Sequence, residues 1–150
     1  MEGYKMDVKE LMKGDKIGVR SNDGYDLHIF TVSEIKENGI SCGKDFVYYD
    51  FDEIEPIPFA EEIFEKNEFK KHTFNGTIIY SRKSFVDIDW YDVDVVIGKD
   101  AEGIQRWDCV CLKIKKADAN LTLYNQSCFH QLQHALRLVG LNEMADNLKV

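Results

Sequence analysis

The stretch Phe51–Phe69, FDEIEPIPFAEEIFEKNEF, constrains this chain more than any other, because it holds both prolines, Pro56 and Pro58. Each proline ring fixes φ and removes a backbone donor, so Glu55–Pro58 cannot run as a central strand. The residues ahead of the prolines, Glu55 and Ile57, are pushed toward extended geometry. Past Pro58 the apolar period changes. Phe59, Ile63 and Lys66 stack at helical spacing, as do Ala60 and Phe64, which predicts a two-turn helix with one apolar face. Asn67 is its expected left-handed terminator. The stretch therefore reads as a joint between two halves that both alternate like β-structure.

The first half reads as short strands joined by tight turns. Asp7–Lys13 is one short helical turn or an irregular lead-in with Val8 and Leu11 inward, and Gly14-Asp15 turns into a strand at Lys16–Arg20. Asp23-Gly24 precedes the longest strand, Tyr25–Ile35, which is apolar on both faces. Asn38-Gly39 leads into Ile40–Gly43, and Gly43–Asp45 into Phe46–Phe51. Such spacing predicts a curled antiparallel sheet or small barrel. The opening phrase Leu-Met-Lys-Gly-Asp-Lys-Ile is similar to the openings of Src-homology-3-like barrels.

Beyond the joint, Glu68–Thr73 and Thr77–Ser81 flank Asn75-Gly76, a two-residue hairpin signal. Phe85–Ile97 changes phase midway: Val86, Ile88 and Trp90 share one face, Val93, Val95 and Ile97 the other parity. A bulge or bend near Trp90–Asp92 reconciles them. Lys99–Gly103 is a polar loop, and Arg106–Lys115, apolar on both faces, reads as a central strand. Ala117–Asn120 turns into Leu121–Tyr124. The last long helix is expected from Ser127 as N-cap to Gly140, with Phe129, Leu132, Leu136 and Val139 as its buried stripe. Asn142–Leu148 adds a short second helix.

The 150 residues, 44% hydrophobic and 12% aromatic, can bury a sizeable core as one domain or two subdomains. No apolar run is long enough to span a bilayer and no signal-peptide pattern opens the sequence, which predicts a cytoplasmic protein without membrane contact. Acids outnumber Lys and Arg 27 to 19, for a net charge of −8. That balance disfavours nucleic acid as a partner, since phosphate binding needs clustered cations. The four cysteines are expected to be reduced thiols.

The string PIPFAEEIFEKNEFKK, together with FHQLQHALRLVGL near the C-terminus, resembles a family of small proteins carried by phages and integrated mobile elements of gut anaerobes. That family places leucine after Pro-Ile-Pro, then Thr-Pro as helix cap and first turn, and glycine after Lys-Asn. Here Ala60 and Glu61 stand in place of Thr-Pro, and Glu68 in place of glycine. The missing cap is worth about 1 kcal/mol. The resemblance implies no activity, and no catalytic residue follows from it.

Three constellations bear on chemistry. His130 and His134 sit four apart on the last helix with Arg137 on the same face, the spacing by which metalloproteases hold zinc. The residues between them are Gln-Leu-Gln, so the general-base glutamate is missing, and a polar outer face is the plainer reading. Cys109-x-Cys111 and Cys128-x-His130 could supply four zinc ligands on paper. Alternate strand residues project in parallel about 6.5–7 Å apart, whereas structural zinc sites favour cysteines two to four residues apart on a turn. Thiols buried as small hydrophobes, Cys42 included, are the expectation. Asp87, Asp89, Asp92 and Asp94 form a carboxylate ladder suited to magnesium or acid–base work, or to a solvated strand face that discourages aggregation.

A second acidic stretch comprises Asp45, Asp50, Asp52, Glu53, Glu55, Glu61, Glu62 and Glu65. Were the two acidic stretches to share a face, their field would attract a basic protein. In phage-borne proteins such a surface can mimic nucleic acid. The fold expected is α+β: a β-barrel-like, Src-homology-3-like N-terminal half at 1–55, a proline-marked linker and short helix at 56–69, then an antiparallel meander closed by a C-terminal helix at 70–150. The leading function is a non-enzymatic accessory protein of a mobile element, without cofactor or metal. It acts on an unknown protein partner of basic character, through Asp50, Asp52, Glu53, Glu55, Asp87, Asp89, Asp92 and Asp94. The alternative is a metal-dependent hydrolase or nuclease using the Asp87–Asp94 acids or the His130/His134 pair. A third reading is nucleic-acid binding through Arg82, Lys83, Lys113, Lys115 and Lys116.

Overall fold

The alternation that begins at Lys16 becomes a five-stranded antiparallel sheet in the computed structural model, which describes residues 8–86 and 89–150. The side chains of Val8, Val86 and Asp89 also lie outside the description. The chain divides into two units, Met1–Ile57 and Pro58–Val150, so the helix after Pro58 belongs to the second. Both pair antiparallel sheets with helical elements, an α+β fold. Among the described residues no helix is long and apolar enough to cross a membrane.

The first unit contains β1 (Lys16–Arg20), β2 (Leu27–Ile35), β3 (Gly39–Cys42), β4 (Val47–Asp50), a 3-10 turn at Phe51–Glu53 and β5 (Ile54–Glu55). Their order is β4-β3-β2-β1-β5. Strand β2 serves two ladders. Leu27–Thr31 pair with β1, and Val32, Glu34 and Ile35 with β3 across a register shift between Val32 and Glu34. The extra residue bends the strand. Leu11, Ile17, Val32, Ile40, Cys42 and Ile54 form the core, with Phe30 and Tyr49 against it. The barrel expectation is corrected to a bent, open sheet, because no ladder joins β4 to β5 among the described residues. Strand β5 stops at Glu55, the residue ahead of Pro56, and among the described residues pairs on one side only, with β1.

The second unit runs α1 (Glu61–Lys66), β6 (Lys70–Phe74), β7 (Thr77–Val86), β8 (Asp89–Lys99), β9 (Gln105–Lys116), β10 (Ala119–Gln126), α2 (Phe129–Leu138) and α3 (Asn142–Asn147). The strands form a meander in the order β10-β9-β8-β7-β6. One sheet face buries Tyr80, Val93, Val95, Ile97, Val110, Leu112 and Ile114. Against it lie Phe64 of α1 and the predicted stripe Phe129, Leu132, Leu136 and Val139, all buried. Phe64 stacks on Tyr80 at 5.4 Å and on Trp107 at 6.0 Å. A six-residue helix such as α1 is too short to hold itself, so these rings hold it. Truncating Phe64 to alanine would cost about 3–5 kcal/mol.

Three local expectations are corrected. The phase change within Phe85–Ile97 is a reversal of the chain: β7 ends at Val86, β8 begins at Asp89, and the two residues pair with each other. The left-handed residue ending α1 is Glu68 (φ 65°), not Asn67 (φ −102°). Phe69 N–H bonds to Phe64 O and Glu68 N–H to Glu65 O, a Schellman ending with a glutamate in the glycine position. The N-cap of α2 is Cys128, while its end follows expectation, with Gly140 at φ 83° and Leu141 N–H on Leu136 O. In β9 a register shift opposite Gly98 carries Trp107 to the core face, where it meets Phe64 and Tyr80. Gly98 has no alternative, because a Cβ there would collide with the Cys109 carbonyl.

Candidate functional site

In the first unit, β4 is an edge strand, paired among the described residues only with β3. The turn before it puts Phe46 in the left-handed region (φ 53°), and Phe46, Val47 and Tyr48 are 56%, 48% and 48% exposed. Asp50, Asp52 and Glu53 follow, all exposed. Tyr48 Oη donates to Asp50 Oδ1 at 2.9 Å, which holds the phenol above its usual pKa, and Glu53 Oε1 accepts from the Asp50 N–H at 3.0 Å. Glu55 is committed to Arg20 by an ion pair of 2.8 Å. The predicted acids Asp50, Asp52 and Glu53 thus gather beside an apolar edge, and Glu55 is neutralised.

The other acids belong to the second unit. Asp87 lies outside the described residues, as does the side chain of Asp89. Asp92 faces Lys83 on one neighbour and Lys115 on the other, and Asp94 faces Ser81 and Lys113. Lys83 Nζ lies 3.7 Å from Asp92 Oδ2, and Ser81 Oγ donates to Asp94 Oδ1 at 2.5 Å. Burial, and then the charge of Asp94, push the Asp92 carboxyl upward. Among the described members of the ladder, Asp92 and Asp94, each carboxylate faces a lysine on a neighbouring strand. The same register splits the cations of the nucleic-acid reading: Lys83, Lys113 and Lys115 take this outer face, Arg82 and Lys116 the opposite one.

The histidine face is not a solvated one. His130 is fully buried, its Nδ1 3.5 Å from Cys128 Sγ, and its ring meets His134 edge-on at 5.4 Å. Arg137 Nη2 pairs with Asp146 at 3.3 Å. Cys109 instead donates to Asn125 Oδ1, and none of the four cysteines is in a disulfide. Burial raises the thiols of Cys42 and Cys111. Among the described residues no three His, Cys, Asp or Glu side chains are arranged to hold a metal ion.

A site that the spacing of residues did not point to lies at the far end of the second sheet. Ser84, Tyr91 and Lys116 occupy one rung across β7, β8 and β9, and Arg82 shares the next rung with the buried Val93 and Ile114. The core face therefore turns polar in mid-strand. Above these residues lies a cleft of about 950 Å³, walled by the end of α1 and by the α2–α3 corner, with Trp90 also lining it. Arg82 Nη1 donates to Asn67 O at 3.3 Å, and Lys116 Nζ donates to Val139 O at 2.9 Å. Trp90 stacks on Phe85 at 6.2 Å. An adjoining hollow of about 490 Å³ adds Lys70, His72 and Lys83. The signal was present, since Arg82 and Ser84 follow Tyr80 at the inward parity. It depends on the β7–β8 reversal, which no glycine, asparagine or proline in the sequence marks. Set against known proteins, the chain matches no family model, and no curated protein and no solved structure matches it.

Proposed function

We propose that this chain is a non-enzymatic interaction protein that takes a basic protein partner on the β4 edge of its first unit. One observation carries the reading: Phe46, Val47 and Tyr48 stand about half exposed on a strand edge that no other strand covers among the described residues, with Asp50, Asp52 and Glu53 next in sequence. An open edge offers backbone donors and acceptors to an added strand, and exposed apolar side chains beside it supply contact area. The acids steer a cationic partner and reject an acidic one. The strand order β4-β3-β2-β1-β5 with a 3-10 turn before β5 supports an Src-homology-3-like reading of this unit. The Pro-Ile-Pro and His-Gln-Leu-Gln-His blocks support an accessory protein of phages or mobile elements, acting in the cytoplasm. The metal-hydrolase reading gains nothing from a lysine-threaded Asp92/Asp94 pair or from a buried His130.

The test is a tagged recovery from lysate of the natural host, run in parallel with wild type, Val47→Lys/Tyr48→Ala and Lys113→Ala/Lys115→Ala. The expected result is one basic protein held by wild type and by the lysine variant, released by salt, and lost with the edge variant. A partner retained by the edge variant, or none held by wild type, overturns the reading.

A further inference from the structure

The cleft of the second unit lies outside that reading and has its own chemistry. From the geometry we infer that it binds a nucleoside phosphate, the ring lying on Tyr91 and the phosphate held by Arg82 with Lys66 and Lys149. Three observations lead there.

The first is the rung itself. Sheet positions facing the helices are apolar at Tyr80, Val93, Val95, Leu112 and Ile114, then become Arg82, Ser84, Tyr91 and Lys116 where the helices stop. The residue types change where a cavity of small-molecule size opens, about 950 Å³ against the roughly 300–1,000 Å³ usual for such sites.

The second is the charge. Cleft and adjoining hollow carry Lys66, Lys70, Arg82, Lys83, Lys116 and Lys149 against Glu68, Asp118 and Glu143, in a chain whose net charge is −8. The acids sit at the rim: the side chains of Glu68 and Asp118 are 82% and 79% exposed, and Asp118 pairs with Lys116 at 3.4 Å. Lys66 and Lys149 make no ion pair among the described residues. Arg82 uses one donor on Asn67 O, while Glu68 stands 3.8 Å off, so most of its fork stays available to an anion.

The third is the flat surface. Tyr91 lines the cavity beside Ser84 on the core face, with Trp90, its neighbour in the strand, also lining it, and among the described residues the Ser84 and Tyr91 hydroxyls make no hydrogen bond. Cations beside an aromatic floor with unused hydroxyls complement a flat polar ring that carries negative charge. Arg82 is also pre-positioned. The Asn67 carbonyl it holds belongs to a residue fixed by hydrogen bonds to Ile63 and Lys149, which limits the ordering cost of binding.

A nucleoside phosphate reaches such a site free or as part of a single strand, and one experiment distinguishes the two. Purified full-length protein is titrated with AMP, ATP, a short single-stranded oligonucleotide and inorganic phosphate, with binding read by calorimetry and tryptophan fluorescence. AMP or ATP should bind with indole quenching and bind at least about tenfold tighter than inorganic phosphate, the margin that stacking supplies. Arg82→Ala and Tyr91→Ala should each weaken binding about tenfold, with Arg82→Lys recovering part of the loss and Lys113→Ala/Lys115→Ala without effect. Melting curves of each variant separate lost binding from lost folding. An oligonucleotide that binds far tighter than AMP, with the same dependence on Arg82, assigns the strand as the source. Binding of no probe, phosphate binding as tight as nucleotide, or loss through Lys113/Lys115 instead of Arg82 overturns the inference. The β4-edge variant should bind nucleotide normally, so this result and the partner result fail independently.

Discussion

The side-chain amide of Asn67 and the backbone of Lys149 hold each other in both directions. Nδ2 donates to the Lys149 carbonyl and Oδ1 accepts from its N–H, each at 2.7 Å. The same Nδ2 donates to Ile63 O, also at 2.7 Å, so one buried side chain ties the end of α1 to the last residues of the chain. Asn67→Ala should cost about 2–4 kcal/mol, since it removes three bonds and strands buried backbone groups. Denaturant melts should show that loss. In a chain lacking Lys149 and Val150 the substitution should cost clearly less, because most of its partners are already gone. Full additivity of the two changes would mean the clamp does not act as one unit.

At the next residue the chain is strained rather than clamped. Glu68 holds φ at 65° and its side chain is 82% exposed, with Arg82 at 3.8 Å as its charged neighbour. Glycine at this Schellman position avoids the left-handed penalty, so Glu68→Gly should stabilise the fold by about 1 kcal/mol. At the other end of α1, Ala60 is the N-cap and supplies no side-chain bond. Ala60→Ser should add a further gain of about 0.5–1 kcal/mol. Thermal melts of the two single variants and the double should show gains that nearly add. A loss from Glu68→Gly would locate the energy in the Arg82 contact instead.

Those two positions show what the sequence made legible and what it did not. Most strands could be placed from turn residues and alternation, because Asn75-Gly76, Asn38-Gly39 and the prolines act locally. The stripe Phe129, Leu132, Leu136, Val139 was legible for the same reason: helical spacing alone fixes which face is buried. The β7–β8 reversal was not, since Val86 pairs with Asp89 across Asp87-Ile88, which lack glycine, asparagine and proline. Losing that reversal lost the register, and with it the facts that Asp92 lies between two lysines and that Arg82, Ser84 and Tyr91 share a floor. The buried state of His130 was illegible because spacing marked the face it shares with His134 and Arg137 without showing what packs on it.

Asp92 carries a charge its surroundings do not favour. It is partly buried, Asp94 follows on the same face, and its Oδ1 accepts no hydrogen bond among the described residues. Burial first, then Asp94, raise its folded-state pKa. Its favourable contribution is therefore complete below the ordinary carboxylate value of 3.8 and is lost as pH rises through the raised value. Asp92→Asn should accordingly raise the melting temperature at neutral pH, with the gain shrinking as pH falls toward 4. A lower melting temperature at neutral pH would show that the 3.7 Å contact with Lys83 outweighs the burial of the charge.

Tyr80 gives the opposite pH limit. Its ring is 1% exposed between Phe64 and Trp107, and its hydroxyl donates to Glu61 Oε1 at 3.1 Å, the same oxygen that Lys71 approaches at 3.3 Å. Burial first, and then the Glu61 carboxylate, push the phenol up to about 12 from its ordinary 10. A raised acid favours the protonated side chain in the folded state, so the full contribution is present below pH 10 and is lost as pH climbs through about 12. Two pH units of difference correspond to about 3 kcal/mol. Near neutral pH wild type should exceed Tyr80→Phe by about 1 kcal/mol, the worth of the hydroxyl's bond. From pH 10 upward that lead should narrow and then reverse, because phenylalanine has no proton to lose. Urea melts of both proteins across this range read the crossing directly. A lead that stays constant with pH would mean Tyr80 ionises freely in the fold, which its burial against Phe64 forbids.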